Sequence, residues 1–470
     1  MENKNYRKDI WLIIFAFATS RIIIGFFGIH LQYRNLFQYW QYLDVETLKY
    51  DLLKGVWYDH AQPPLFNILL GIVIKLSGAH APFVFASIFK LVSLTNALLI
   101  CIILKRLTNH RYIPIIFSLI YLLSPATLIF ECELFYTSFI SMLLLISFFF
   151  LINIQQKPGW GNSIGFFLSL VVVCLTRSLY HLFWLTLVAV LILYCFRKKR
   201  IFNKLLLCSF IAVLVTAGWY LKNYFVFGKF STSTWIGMNF SRNVFHDNET
   251  RDSSRIEAYA PFSKVSVYRS FISGAAEKKY AGLDDRDLLN ESKNDSFINA
   301  NHIGYIEVSE KYMKACKQYI KTHPMAYLQN VIQSCLIFFA PATRYSLTEQ
   351  QAKKIRAYDI VYSFNLSHFA EGKQQRRVAL LISAIPKVII YMFVFFVFFR
   401  QAIKNRFISS WNLFLVLTIA FVFVVSSLLE HYENMRFRYE AEPLFLLLAG
   451  QVVGMFLNKK NRIQQPEEQL

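Results

Sequence analysis

Three sets of residues in this sequence could do chemistry together: carboxylates beyond the first long apolar run, arginines at the ends of later runs and in the polar segment between them, and a histidine and glutamine beside a double proline. The carboxylates begin with Asp44, in Tyr42-Leu-Asp44-Val-Glu46, and Asp51 comes next, before His60-Ala-Gln62-Pro63-Pro64-Leu65. A second acidic pair, Glu131-Cys-Glu133, lies shortly after Ser124-Pro125. The arginines are Arg177, Arg242, Arg436 and Arg438. A positioned carboxylate can take the proton of an attacking hydroxyl, and guanidinium forks can hold a phosphate. That pairing suits displacement of a phosphate from carbon by a hydroxyl. Each residue also has a plainer reading. Arg436 and Arg438 can snorkel to lipid headgroups, Arg177 can anchor a helix end or pair with an acid, and the acids can cap or solvate loops. No cluster of His, Cys and acids has metal-ligand spacing, so no cofactor is required, and a divalent metal is neither indicated nor excluded.

The composition says which elements must position these side chains. Of 470 residues, 55% are hydrophobic, above the ~45–50% of soluble domains. Long apolar runs recur at 10–29, 83–104, 112–130, 134–154, 178–196, 203–225, 377–399, 408–429 and 441–457. Each can cross a hydrocarbon core ~30 Å thick as a helix. Shorter runs at 64–78, 162–176 and 326–342 are marginal for a crossing.

Charge arbitrates among them. Basic residues cluster at Lys4 to Lys8, Lys105 to Arg111, Arg197 to Lys204, Arg400 to Arg406 and Lys459 to Arg462, and the positive-inside rule puts all of these in the cytoplasm. That holds when 162–176 spans and 64–78 and 326–342 are interfacial or re-entrant helices on the outer face. The expected fold is therefore all-α and polytopic, with ten spans, or up to twelve if the marginal runs cross, and a large outer-face loop region. The parts are an N-terminal bundle over 1–225, carrying the first outer loop 30–63, and the large outer region 226–376. C-terminal spans over 377–457 and a cytoplasmic tail, 458–470, complete it. Within the outer region, 282–296 is acidic and turn-rich, and a helix is expected over 304–321. The net charge of +21 reads as topology signal and contact with anionic lipid. It does not read as nucleic-acid binding, because the basic residues are scattered beside membrane runs.

The order of these features resembles the membrane-embedded glycosyltransferases of the GT-C class, which take a sugar from a polyprenyl-phosphate carrier. The similarity is to the branch of protein O-mannosyltransferases and aminoarabinose transferases. Asp44 stands where that class has its catalytic Asp in the first outer loop, and Gln62-Pro63-Pro64-Leu65 resembles its proline-containing entry to the next helix. Ser124-Pro125 with Glu131 and Glu133 is similar to the family's Ser-Pro and second acidic position. Lys222-Asn223-Tyr224 leading to Gly228, His323-Pro324, and Glu433 to Arg438 with Pro443 resemble later segments. Two features depart from the pattern: the acids are Asp-Val-Glu, not adjacent, and Lys222 replaces an Arg.

The resemblance implies a bacterial plasma-membrane enzyme with its active site on the outer face. Asp44, with Glu131 and Glu133, would be catalytic, and His60, Gln62, Arg177, Arg242, Arg436 and Arg438 would bind substrate. The donor would be a polyprenyl-phosphate sugar in contact with membrane lipids, and the acceptor a glycan, lipid or protein. Two other classes fit the same topology: a transporter or flippase, and a polymerase or ligase of surface polysaccharide using lipid-linked sugars.

Overall fold

The computed structural model describes residues 2–245, 286–294, 297–406 and 408–463. Among them the chain is helical throughout, with no strand beyond a lone bridge from Ser292 to Ile298. The first helix, α1, runs over Glu2–Phe26, and the segment after it folds one helical turn at Asn35–Gln38 and then two short helices, α2 (Val45–Tyr50) and α3 (Leu52–Tyr58). Then come α4 (Pro64–Ser77) and α5 (Ala81–Leu107), separated by a 3₁₀ turn at Gly78–His80. Pro64 opens α4 at a position whose N–H would have no helical partner anyway. The middle of the chain forms α6 (Ile113–Leu123), α7 (Pro125–Phe130), α8 (Thr137–Gln156), α9 (Trp160–Thr176), α10 (Leu182–Phe196), α11 (Phe202–Phe227) and α12 (Ile236–Phe245). Beyond it lie α13 (Gly304–Thr322), α14 (Pro324–Phe338), α15 (Arg356–Ser363), α16 (Lys373–Asn405), α17 (Ser410–Leu429) and α18 (Asn434–Ile463).

Seven helical stretches among the described residues are long and apolar enough to cross a membrane: α1, α4 with α5, α8, α11, α16, α17 and α18. Three shorter apolar helices, α6, α9 and α10, lie among them. The protein is an all-α polytopic membrane protein. The helix expected over 304–321 is α13, and the run 326–342 forms α14. Part of the acidic stretch 282–296 lies outside the described residues.

Two elements differ from the sequence expectation. The run 112–130 is broken at Ser124, whose extended backbone (ψ 131°) precedes Pro125. The proline ring disfavours helical geometry at the residue before it. The short helix after the break, α7, is wholly buried and faces no lipid. The last helix begins at Asn434, not 441, so Arg436, Arg438 and Glu440 lie on its first turns instead of in an outer loop. Charges at 433–442 dilute the apolar pattern there, and the helix keeps them by pairing them. Its membrane-length window is 72% buried, against 22% for α16, so α18 runs through the bundle interior with its charged turns facing protein.

Glycines shape the approach to that interior at two places. Gly228 ends α11 with φ 71°, a conformation that suits a residue without Cβ, and its N–H donates to the Tyr224 carbonyl. Gly237, on α12, packs so close to α13 that a Cβ would sit 1.8 Å from the Ser309 carbonyl oxygen.

Candidate active site

A cavity of about 1200 Å³ opens among α10, α11, α12, α17 and α18, with a wall from Gln38 to Gln41 of the first outer segment. Its charged end is built from three places far apart in sequence. Arg177 comes from the α9–α10 junction, Arg242 from α12, and Glu430, Glu433 and Arg436 from the turn into α18. Asn434 holds that turn by donating from Nδ2 to the carbonyls of Ser426, at 2.8 Å, and Glu430, at 3.2 Å.

Within this end, Glu433 is gripped by two arginines. Arg242 Nη1 is 3.0 Å from Oε1 and Arg436 Nη2 is 2.5 Å from Oε2. Burial pushes the Glu433 carboxyl up, but Arg436 and Arg242 together outweigh burial and hold it below the usual carboxylate range. Glu430 is the contrast. Its Oε2 lies 3.6 Å from Arg242 Nη1 and makes no hydrogen bond among the described residues. Burial dominates there and raises its pKa, with Arg242 only partly opposing. Two carboxyls three residues apart are thus shifted in opposite directions, the arrangement expected of an acid–base group beside an electrostatic partner.

Arg436 is 2% exposed, and its guanidinium lies over the rings of Phe135, Phe437 and Tyr345 at 4.5–5.1 Å. Its Nε and Nη1 make no hydrogen bond among the described residues, although Nη1 lies 3.9 Å from Glu440 Oε1 as an ion pair. Buried guanidinium N–H groups without acceptors are expensive unless something else supplies them. Arg177 is fixed from behind by Glu440, 3.0 Å from its Nε, and lies over Phe437 and Tyr136. The remaining wall mixes polar side chains, Gln38, Gln41, Gln62 and Asn239 among them, with an apolar mouth where Phe183, Phe230 and Ile236 are each more than half exposed. The cavity therefore joins a set of arginines to an apolar mouth.

The candidates named from sequence divide sharply. Arg177, Arg242, Arg436 and Gln62 line the cavity. Arg438 does not: its Nε donates to the Phe338 carbonyl at 2.9 Å and its Nη2 to that of Ala340 at 3.4 Å, and it pairs with Glu442. It caps the open carbonyls at the end of α14. His60 is also elsewhere, with Nδ1 2.7 Å from Thr234 Oγ1 and Nε2 3.0 Å from the Asn301 carbonyl. Burial lowers its pKa to about 3, leaving a neutral ring that ties the first outer segment to the 234 and 301 regions.

The three acids expected to be catalytic also lie outside the cavity. Glu131 is fully buried and takes a forked contact from Arg21 of α1, with Nη2 2.7 Å from Oε2. Glu133 accepts from Asn35 and Tyr39, and burial raises it to about 7. Asp44 caps α2 by accepting from the Glu46 N–H, and its other oxygen accepts from the Asn294 N–H at 2.7 Å. It faces a small recess with Thr47, Asp287 and Lys293.

Motifs that drew attention in the sequence do build the cavity wall, although their own side chains are spent on it. Lys222 Nζ donates to the Asp59 carbonyl at 2.7 Å, and Asn223 Nδ2 to that of Ser231 at 2.7 Å. Ser233 Oγ donates to the Ala61 carbonyl at 2.6 Å. Sequence reasoning missed Glu430 and Glu440. The recurrence of charges at 433, 436 and 440, one helical face, was the available signal. Among the described residues, no group of three or more His, Cys, Asp or Glu could hold a metal. No family model, curated protein or solved structure matches this chain, so its site is read from its own geometry.

Proposed function

We propose that the protein is a membrane glycosyltransferase that moves a sugar from a polyprenyl-phosphate carrier to a hydroxyl acceptor, on the outer face of a bacterial plasma membrane. The observation that carries this is the cavity itself: an apolar mouth ending in Arg177, Arg242 and Arg436, of which Arg436 has unused N–H donors. A lipid-linked phosphate needs both halves. The prenyl chain would lie along Phe183 and Phe230, and the phosphate would accept from Arg436 and Arg242.

The chemistry then balances with the residues present. Ionised Glu430 takes the proton of the acceptor hydroxyl, and that oxygen forms a bond to the anomeric carbon. The bond from this carbon to the phosphate oxygen breaks, and the polyprenyl phosphate leaves with the electron pair. Positive charge on the sugar in the transition state sits near Glu433, which the arginines keep ionised. This assignment puts the base at Glu430 in place of Asp44.

Purified protein in lipid nanodiscs, given a panel of radiolabelled polyprenyl-phosphate sugars, tests the reading. The expected result is release of polyprenyl phosphate from one of them, abolished by Arg436→Ala. Failure to consume any donor, together with saturable uptake of a donor by sealed vesicles, would assign the cavity to transport.

A further inference from the structure

Beside the cavity lies a second opening, a groove of about 470 Å³ between the 228–236 segment and α13. The two share a wall: Phe230, Ser231, Ser233 and Ile236 line both. The Ser231 Oγ, at this seam, is buried and makes no hydrogen bond among the described residues. The groove's charge is lopsided. Lys229, Lys314 and Lys317 line it against one acid, Glu310, which Lys229 already pairs. Lys314 and Lys317 have no ion-pair partner among the described residues, and both are exposed on α13.

The other polar side chains there are largely committed. Ser309 Oγ accepts from the Gly237 N–H at 3.0 Å, and Ser233 Oγ is spent on Ala61. What the groove still offers a visitor is two ammonium groups and the exposed ring of Phe230. Lysines offer point charges to carboxylate or phosphate, and an aromatic ring offers a surface to the C–H face of a sugar. We infer that this groove is the acceptor site and that it takes an anionic glycan, held by Lys314 and Lys317. Its reacting hydroxyl reaches the cavity past Ser231. The inference rests on the glycosyl-transfer reading for its purpose, but the binding it asserts can be measured without any donor.

The full chain in phosphatidylcholine nanodiscs would be titrated with a fluorescent oligogalacturonate and with its methyl ester, in which a methyl group on each carboxyl removes the charge. The acid should bind more tightly than the ester. The double substitution Lys314→Gln with Lys317→Gln should weaken the acid by about tenfold, as expected for two exposed charge contacts, and leave the ester unchanged. High salt should erase the difference between acid and ester. Equal binding of acid and ester overturns the inference, as does full affinity in a double variant whose melting temperature matches wild type. Loss of acid binding when phosphatidylglycerol replaces part of the phosphatidylcholine would give the lysines to lipid headgroups and overturn it too. A protein that binds the acid through these lysines yet consumes no lipid-phosphate sugar overturns the transfer reading and leaves the groove standing.

Discussion

Two buried polar clusters in this protein are each built around carboxylates and end up in opposite conditions. Around Asp359 of α15, both carboxylate oxygens are occupied: the Thr343 hydroxyl lies within 3.0 Å of each, Asn365 donates at 2.7 Å and His368 Nε2 lies at 2.8 Å. This cluster ties the 343 region, α15 and the turn at 365–368 into one piece. Around Arg436, Nε of Arg177, Oε2 of Glu430 and Nε and Nη1 of Arg436 are buried without a hydrogen bond among the described residues, on side chains that line the cavity. Burial alone therefore does not mark a working site. A closed polar network fixes a fold, whereas an open one needs a ligand to complete it.

Exchanging a single acid in each cluster should give the largest effects and opposite ones. Glu430→Gln removes the proton acceptor, so kcat should fall by about 10²–10⁴-fold with little change in melting temperature. Because burial raises the Glu430 pKa, the carboxyl is protonated and idle at acid pH. Transfer should rise with pH above the usual carboxylate range, and that limb should vanish in the variant. Asp359→Asn should instead lower the melting temperature and leave kcat near wild type. If the two variants exchange roles, the distinction between open and closed networks fails.

A smaller and sharper test uses two arginines on one helix. Arg436→Lys should cost about 1–3 kcal/mol in transition-state stabilisation, read as a fall in kcat/KM, because lysine lacks the planar fork. Arg438→Lys loses its bonds to the carbonyls of Phe338 and Ala340, and should be seen in thermal stability with kcat/KM hardly moved. Equal losses of kcat/KM would show that α18 contributes both arginines to one site.

The smallest effect is expected at Asp44. Asp44→Ala removes the cap of α2, worth about 1 kcal/mol of stability, and should leave kcat/KM within about threefold of wild type, the scale of a sub-kcal effect. A fall as deep as that of Glu430→Gln would return the base to the first outer segment.

The sequence made the helices legible because apolar runs of membrane length have few other solutions, and α8, α11 and α17 lie within three residues of the expected spans. It misjudged 112–130 by giving the run's hydrophobicity priority over Pro125. The site was half legible. Arg177, Arg436 and Gln62 could be named from their positions at run ends and beside the double proline, and Arg242 from the outer segment that follows a run, but their partners could not. Arg177 meets Glu440 across most of the chain, a pairing no local pattern contains. Arg436 and Arg438 looked equivalent while they were assigned to a loop. On a helix, two residues apart means about 200° of rotation, and one arginine turns into the cavity while the other turns to α14.

The stretch from Phe230 to Ile236 is a partition with a chamber on each side, anchored to the first outer segment through Thr234 and Ser233. With a lipid-borne donor on one side and a soluble acceptor on the other, neither has to pass through the other's seat. Such an enzyme would work through a ternary complex with random order of addition, in which a non-reacting donor analogue lowers the maximal rate without being displaced by acceptor. The same partition also leaves a spent carrier free to depart into the membrane while the elongated product is still in place, so that turnover need not wait for the glycan to leave.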